Sequence, residues 1–282
     1  MNRRKKKMKT STIVLIVICF VGLSLLLYPT VADFYNTHVA LKSVNNYNET
    51  ISEIDEEDLQ EIWDEAVEFN KRLAGQGGFA LHGDMEKEYY SLLNAVDDGM
   101  MGYIEIPKIN LTLPVYHGTG DEVLAAGIGH LEWSSLPTGG ASTHCCLSGH
   151  SGLVSARLFT DLELMEVGDT FILNILDKVL TYEVDQIRTV LPDEVNDLHI
   201  LNGKDLCTLI TCTPYGINTH RLLVRGHRIE NAAGEAHVVS EAVIIDELIV
   251  ASVLAFIILF VMFLAVMFKK PDTGKKRNKK YL

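Results

Sequence analysis

The chain has 282 residues and a formal net charge of −12 at pH 7, with 37 acidic and 25 basic residues. Thirteen of the basic residues lie in the first nine and the last fourteen positions, so the part between them is strongly acidic. An acidic central part argues against nucleic acid as a partner. The length is enough for one or two domains.

Two apolar segments, residues 11–28 and 248–268, contain no charged residue. A helix of about 20 apolar residues spans the hydrocarbon core of a bilayer. Lysine and arginine flank both segments on their outer sides, and the positive-inside rule then predicts cytoplasmic tails and an extracellular middle. A cleaved signal peptide is the alternative for the first segment, but Thr30-Val31-Ala32 is a poor cleavage site.

Residues 32–73 are predicted to be helical. Apolar residues, among them Ile51, Ile54 and Leu59, approximate a one-sided stripe, and acidic residues fill the other side. The glycines at positions 75, 77 and 78 then indicate a flexible break.

Short runs rich in β-branched and aromatic residues begin after residue 102 and are separated by Gly, Asn and Asp. They favour an all-β barrel or a sandwich. Asp177 and Lys178 are predicted to form a tight hairpin turn, and residues 158–167 a short helix. The predicted strands cover residues 103–107, 111–116, 171–176, 179–184, 206–212 and 221–229.

Cys212 stands at the end of one predicted strand and Arg221 at the start of the next. Pro214 and Gly216 stop the first strand and form a loop. Two neighbouring antiparallel strands would therefore bring a thiol and a guanidinium together at one end of a sheet. Because side chains alternate along a strand, Cys207 is predicted to point to the opposite face and to be a core residue.

This pair of side chains has a chemical use. A free thiol has a pKa of about 8.5, and the thiolate is the nucleophile. A guanidinium stays charged, stabilises a thiolate and offers several donors to a developing oxyanion. A leaving amine also needs a proton donor, which histidine supplies best near neutral pH. The chain has ten histidines, so sequence context has to select one.

Several other residues have alternative interpretations. His144, Cys145, Cys146 and His150 could be read together as a metal cluster, but their spacing is not a usual zinc pattern. A buried strand is the preferred prediction for this stretch.

His220 borders Arg221, but adjacent residues of a strand point to opposite faces, so both cannot easily face Cys212. His117 and His130 are predicted to have structural roles.

Longer stretches of the chain resemble a known family, the sortases, and specifically the class C or pilin-polymerising sortases. The TLxTC element at residues 208–212 is the most specific mark. The continuation NTHRLLVRG at residues 218–226, together with two apolar spans, points to class C. The other matching stretches are residues 101–119, 127–140, 142–153 and 156–169.

The resemblance implies a closed β-barrel of about eight strands and three catalytic residues, His150, Cys212 and Arg221. Cys212 would attack the Thr–Gly bond of an LPXTG-like sorting signal and form a thioacyl enzyme. An amine, in class C usually a pilin lysine, would then resolve it as an isopeptide bond. The expected partners are pilin or surface-protein substrates, the amine acceptor and the lipid bilayer, and no cofactor or metal is expected.

Class C sortases commonly carry a lid with an Asp-Pro-aromatic motif, in which the acid pairs with the catalytic arginine. At the corresponding place this chain has Gly77, Gly78 and Phe79, so the aromatic residue remains without the acid and the proline. Glycine raises the entropy lost on ordering. We therefore expect a mobile, weakly closed lid with Phe79 as its plug and Asp84 as an alternative anchor.

The sequence leaves two alternatives open. A housekeeping sortase would attach proteins to cell-wall peptidoglycan and would differ in its amine acceptor. An inactive, membrane-tethered binding module would keep the fold without the chemistry. The predicted order is a cytoplasmic tail (1–10), a transmembrane helix (11–28), a helical arm with a degenerate lid (32–100), the catalytic barrel (101–230), a linker (231–247), a second transmembrane helix (248–268) and a second cytoplasmic tail (269–282).

Overall fold

The computed structural model describes residues 10–76, 81, 83–231, 256 and 260. Residues Ala32–Val239 form one compact unit. The helices are α1 (Thr10–Glu53), α2 (Glu56–Gly75), α3 (Met85–Tyr89) and α4 (Asp121–Ala126), with 3-10 turns at Pro107–Ile109, Thr160–Leu164 and Asn196–Leu198. The strands are β1 (Met100–Ile106), β2 (Leu111–His117), β3 (Ile128–His130), β4 (Thr143–Ser148), β5 (Thr170–Ile175), β6 (Lys178–Val190), β7 (Asp205–Thr213) and β8 (His220–Arg228).

The eight strands close into a barrel in the order β1-β2-β3-β4-β7-β8-β6-β5. The predicted closed β-barrel is therefore confirmed, and the sandwich is excluded. Two neighbouring pairs are parallel, β2 with β3 and β4 with β7, and the other pairs are antiparallel. Closure leaves no unpaired sheet edge.

Six strands lie where the sequence predicted them, with ends shifted by a few residues and with β6 continuing to Val190. The three-residue strand β3 is too short to give a periodic signal. The β5–β6 turn is centred on Leu176 and Asp177, one residue before the predicted turn, because Ile175 pairs with Lys178. The helix predicted over residues 158–167 is a 3-10 turn, Thr160–Leu164.

The first helix is continuous from Thr10 to Glu53 and includes Pro29. The predicted transmembrane helix over residues 11–28 and the start of the predicted helical arm are therefore parts of one helix. It is the one helix among the described residues that is long and apolar enough to cross a membrane. Its apolar side chains Leu25 and Leu26 are exposed. The predicted second span lies outside the described residues apart from Phe256 and Phe260.

The two long helices pack on the barrel through buried side chains that also make polar contacts. The Tyr47 hydroxyl in α1 donates to the Met101 carbonyl oxygen at 2.8 Å and accepts from the Leu176 amide at 2.8 Å. In α2, buried Asn70 donates to the Leu136 carbonyl oxygen at 2.9 Å and accepts from the Leu136 amide at 2.7 Å. These bonds fix each helix to the barrel at one register, because buried polar groups are costly when unpaired.

Three histidines are buried in the barrel wall, and each ring is hydrogen-bonded within the protein. His117 lies between the Gly99 and Leu92 carbonyl oxygens, at 2.9 and 2.8 Å. His130 contacts the Tyr89 hydroxyl at 2.9 Å and the Ser135 carbonyl oxygen at 2.8 Å. The structural roles predicted for His117 and His130 are confirmed.

His144, the third, contacts the His199 carbonyl oxygen at 2.9 Å and Thr208 Oγ1 at 2.7 Å. It lies in β4, as the prediction of a buried strand for this stretch required. Burial lowers the pKa of all three imidazoles, and that of His130 falls to about 3.

The unfolding free energy is expected to fall as the pH is lowered from about 6.5 towards 3. The unfolded His130 binds a proton in this range while the folded one stays neutral, so its contribution is complete above pH 6.5 and is lost on acidification. Urea unfolding of the full chain in detergent, followed by near-ultraviolet circular dichroism at pH 7.5 and 5, measures the change.

His130→Gln should reduce this pH dependence, whatever it does to the stability at pH 7.5. The matched control is His38→Gln, since His38 is exposed on α1. Equal pH dependence in the wild type and in His130→Gln would contradict the assignment of the effect to His130.

Candidate active site

The β7–β8 pairing brings Cys212 and Arg221 directly opposite each other. The strands are antiparallel, and residues opposite each other in such a pair have their side chains on the same face, with Cβ atoms about 5 Å apart. β7 ends at Thr213 because a turn follows, in which the Ile217 and Asn218 amides both donate to the Pro214 carbonyl oxygen at 3.0 Å. Cys212 and Arg221 therefore lie at the same end of the barrel.

His150 reaches the same end through the parallel pairing of β4 with β7. Ser148 pairs with Ile210, so two further residues along each strand lead to His150 and Cys212. The contact continues beyond the end of β4, since the Gly149 amide donates to the Ile210 carbonyl oxygen at 3.0 Å. The three residues predicted to be catalytic thus lie at or just beyond the ends of three adjacent strands.

Gly149 is required at this point by close packing rather than by its backbone angles. A Cβ atom there would lie 2.6 Å from Ile128 Cδ1 and 2.7 Å from Phe159 Cδ2. A side chain at position 149 would therefore push the backbone before His150 away from the core.

Exposure separates Cys212 from the other thiols of the barrel. Cys212 is half-buried, while Cys145, Cys146 and Cys207 are at most 2% exposed. Burial raises the pKa of each of these three thiols, which lowers the amount of thiolate. The prediction that Cys207 is a core residue is confirmed.

The nearest residue to Cys212 on its own face of β7 is a buried apolar side chain. This residue is Ile210, two positions before Cys212, and it belongs to a small cluster of buried residues that is separate from the main core. Cys212 and Arg221 form the cross-strand pair two positions beyond the pair of Ile210 and Leu223, and both are half-buried. The other buried members of this cluster are Cys146, Val190, Leu198 and Leu223, and Leu131, Trp133 and Val195 pack against them.

The Arg221 guanidinium is held by backbone carbonyl oxygens of its own loop. Its Nη1 donates to His220 at 3.0 Å and to Asn218 at 3.3 Å. No acidic residue in the described part of the chain forms an ion pair with it. Both contacts use the same nitrogen and hold the side chain without neutralising its charge.

His220 lies opposite Thr213 rather than Cys212. Its Nδ1 lies 2.9 Å from Thr219 Oγ1. It is therefore one position out of register with the pair formed by Cys212 and Arg221, as the alternation of side chains predicted.

The metal interpretation of His144, Cys145, Cys146 and His150 gains no support from the contacts. Both ring nitrogens of His144 are used in bonds to the protein. Within the described residues, no group of three or more His, Cys, Asp or Glu side chains is placed to hold a metal ion.

Of the two lid residues predicted from the sequence, the structure describes only Asp84. Phe79 lies outside the described residues. Asp84 precedes α3, where its exposed side chain makes no capping hydrogen bond. Among the described residues it forms no ion pair with Arg221.

Thr211 is a site residue that the sequence analysis did not single out. Its Oγ1 donates to the Gly149 carbonyl oxygen at 2.8 Å, and it is buried. With the Gly149 amide bond to Ile210, this contact ties the backbone before His150 to the strand that carries Cys212. A signal was present, because Thr211 is the second threonine of the TLxTC element.

Cys212 is expected to be the one barrel cysteine that reacts with a thiol reagent in the folded protein, since the other three are protected until the barrel opens. The measurement is iodoacetamide labelling of Cys19→Ser protein in detergent at pH 8, followed by peptide mass spectrometry. Cys145, Cys146 and Cys207 should become labelled only in denaturant. Labelling of Cys207 at the rate of Cys212 in the folded protein would contradict the burial of Cys207.

Comparison with known proteins agrees with this geometry. A family model described as the sortase domain matches residues 104–229. The crystal structure of sortase C1 from Streptococcus agalactiae is 52% identical, with a TM-score of 0.66, and the match covers 67% of this chain and 99% of that one. A sortase C from Streptococcus pneumoniae is 41% identical, with a TM-score of 0.60, over 68% of this chain and 98% of that one.

A sortase A from Streptococcus agalactiae is 31% identical over 148 residues, which is 51% of this chain. The chain spans 58% of that relative's length. The match to sortase C1 is both longer and closer, and it covers nearly all of that structure. The chain belongs to the sortases, a family of cysteine transpeptidases, and within that family to class C.

Proposed function

We propose that this chain is a cysteine transpeptidase that cleaves an LPXTG-like sorting signal between Thr and Gly and joins the new carboxyl end to a pilin lysine. The observation that carries the proposal is the register of three adjacent strands. It sets Cys212 opposite Arg221, with His150 two residues beyond the last β4–β7 pair. In this proposal, Cys212 is the nucleophile, His150 the acid and base, and Arg221 the oxyanion-binding group.

In the first half-reaction, the Cys212 thiolate attacks the carbonyl carbon of the substrate threonine. The carbonyl oxygen becomes an oxyanion, which the Arg221 guanidinium stabilises through N–H donors that point at the developing charge. Protonated His150 gives its proton to the glycine nitrogen as the C–N bond breaks. A thioacyl bond to Cys212 remains, and the glycine end leaves as an amine.

In the second half-reaction, the amine of a lysine attacks the thioacyl carbon. His150, now neutral, takes a proton from that nitrogen, and Arg221 again stabilises the oxyanion. The C–S bond breaks, the Cys212 thiolate is restored and an isopeptide bond forms.

Class C membership supports a pilin lysine as the acceptor over cell-wall peptidoglycan. The structure of the Streptococcus pneumoniae sortase C was described as informing its catalysis and its pilin substrate specificity. The relatives called sortase A match a smaller part of this chain at lower identity. Attachment of surface proteins to peptidoglycan is therefore the second candidate, and the acceptor amine distinguishes the two.

The mechanism predicts the behaviour of single variants with an LPXTG peptide and a lysine-containing pilin peptide. Cys212→Ala should form no thioacyl adduct. His150→Asn should lower kcat by about 10² to 10⁴-fold, the usual contribution of a general acid–base group. Arg221→Gln should lower it by about 10² to 10³-fold, as for the loss of an oxyanion donor. Mass spectrometry detects the adduct and the isopeptide product.

The matched control is His220→Asn, which should keep wild-type activity within about threefold, since this histidine is out of register with Cys212. A thioacyl adduct in Cys212→Ala would sink the assignment. Transfer to a glycine oligomer in place of the lysine peptide would favour peptidoglycan anchoring.

The proposed topology has two membrane spans, cytoplasmic tails at both ends and an extracellular barrel. The basic residues at both ends of the chain support it by the positive-inside rule, as do the exposed apolar side chains of α1. Tyr28 and Tyr35 are exposed near the end of the apolar segment, where aromatic residues commonly lie at a membrane interface. The rings of Phe20 and Phe256 contact each other, with centroids 6.3 Å apart.

Labelling of Cys212 on intact cells by a membrane-impermeant maleimide tests the orientation of the barrel. Labelling that occurs only in lysed cells would reverse the proposed orientation.

The proposed lid has Phe79 as its plug and lacks an acidic anchor for Arg221. Asp84 makes no ion pair with this arginine among the described residues, which supports weak closure.

Phe79→Ala is expected to raise the rate of Cys212 alkylation, because the ring no longer competes with the reagent. Leu81→Ala is the control beside it, and an unchanged rate in Phe79→Ala would remove the plug.

A further inference from the structure

The loop after His150 closes on itself at its base. The Phe159 amide donates to the His150 carbonyl oxygen at 3.0 Å, and the Gly152 amide donates to Thr160 Oγ1 at 3.1 Å. Residues 151–158 between them form neither helix nor strand, and Val154 at the tip is 60% exposed. The conformation of this loop therefore depends on contacts that other elements make with its backbone.

The helix α1 supplies two such contacts. The Arg157 amide donates to Asp33 Oδ1 at 2.7 Å. Asn36 Nδ2 donates to the Ser155 carbonyl oxygen at 2.8 Å. Each bond joins a side chain of α1 to the loop backbone, so together they hold a donor and an acceptor two residues apart.

Asp33 and Asn36 lie on the side of α1 that faces the barrel. Ala40, Val44 and Tyr47 on this side are buried, and Asp33 and Asn36 continue the same spacing of three and four residues towards the N-terminus. Both are half-buried. The rest of this stripe is apolar. Asp33 and Asn36 pair with an amide and a carbonyl group of the loop, and apolar residues at these two positions would leave both groups without these partners.

The two ends of the backbone around His150 are held differently. Before it, Gly149 is bonded to β7 through the Ile210 carbonyl oxygen and through Thr211 Oγ1. After it, the chain enters the loop that α1 holds at Ser155 and Arg157. A displacement of about 1 Å can cost a reaction about 10²-fold, because acid–base transfer needs hydrogen-bond geometry.

We propose that Asp33 and Asn36 are positioning residues for His150, acting through the backbone of residues 151–158. The inference deepens the proposed transpeptidase function and rests on it, since it assigns the acid–base step to a histidine whose loop α1 holds. The bonds of Asp33 and Asn36 to the Arg157 amide and the Ser155 carbonyl oxygen involve neither Cys212 nor Arg221. Their effect should therefore appear in the chemical step and not in substrate binding.

The test uses the full chain in detergent and the variants Asp33→Ala, Asp33→Asn and Asn36→Ala. The matched control is Asn45→Ala, because Asn45 is an exposed asparagine on the same helix. Three quantities are measured for each: kcat and KM with the sorting peptide and the lysine peptide, hydrogen exchange of the backbone amides of residues 150–158, and the pH profile of Cys212 alkylation without substrate.

Asp33→Ala is expected to lower kcat by about tenfold or more with KM unchanged within about twofold, to speed exchange of the loop amides and to shift the alkylation profile. Asp33→Asn keeps the acceptor oxygen and should restore all three quantities. Asn36→Ala should show a smaller effect in the same direction, because it removes one neutral hydrogen bond. Asn45→Ala should match the wild type.

Unchanged loop exchange in Asp33→Ala would show that the contact does not hold the loop, and faster exchange with unchanged kcat would show that the loop does not position His150. Either result overturns the inference. If the wild type joins no peptide, the proposed function fails separately. The exchange rates and the alkylation profile then decide the inference, because an unshifted profile in Asp33→Ala rejects it.

Discussion

The hydrogen bonds that join β7 to β4 on one side and to β8 on the other place three residues that are distant in the sequence at the same end of the barrel. The β4–β7 pairing is parallel, so the carboxyl ends of both strands lie at the same end of the barrel. The β7–β8 pairing is antiparallel, so the start of β8 joins them there. Any slip of one residue in either pairing would turn Cys212 or its neighbours to the other face.

The same register decides which thiol is available for chemistry. Cys207 and Cys212 lie on one strand at an odd separation, so they face opposite sides of the barrel wall. The core therefore surrounds Cys207, while Cys212 remains half-buried at the rim. Cys145 pairs with Cys207 across the parallel ladder and is buried with it. A barrel can thus hold several free cysteines and still present a single one to a substrate.

The helices contribute to the site as well as to the stability of the barrel. Tyr47 and Asn70 use buried hydrogen bonds to fix α1 and α2 on the barrel. Farther along α1, Asp33 and Asn36 extend the same surface to the loop that follows His150. One helix thus contacts both the wall of the barrel and a loop of the candidate active site.

The sequence by itself determined most strands, the two apolar segments and the pair of Cys212 and Arg221, because strand alternation, hydropathy and the TLxTC element are local signals. His150 was selected among the ten histidines by the resemblance to the sortases. The strand patterns left both a barrel and a sandwich open, and only the resemblance to the sortases implied a closed barrel. The tertiary structure decided the order of the strands in the barrel and that β4 runs parallel to β7. It also decided that Thr211 and Asp33 reach the backbone on either side of His150. These facts depend on pairings between residues far apart in the chain, which no local pattern encodes. Physically, a strand's periodicity fixes which side chains share a face but leaves open which neighbouring strand that face will meet.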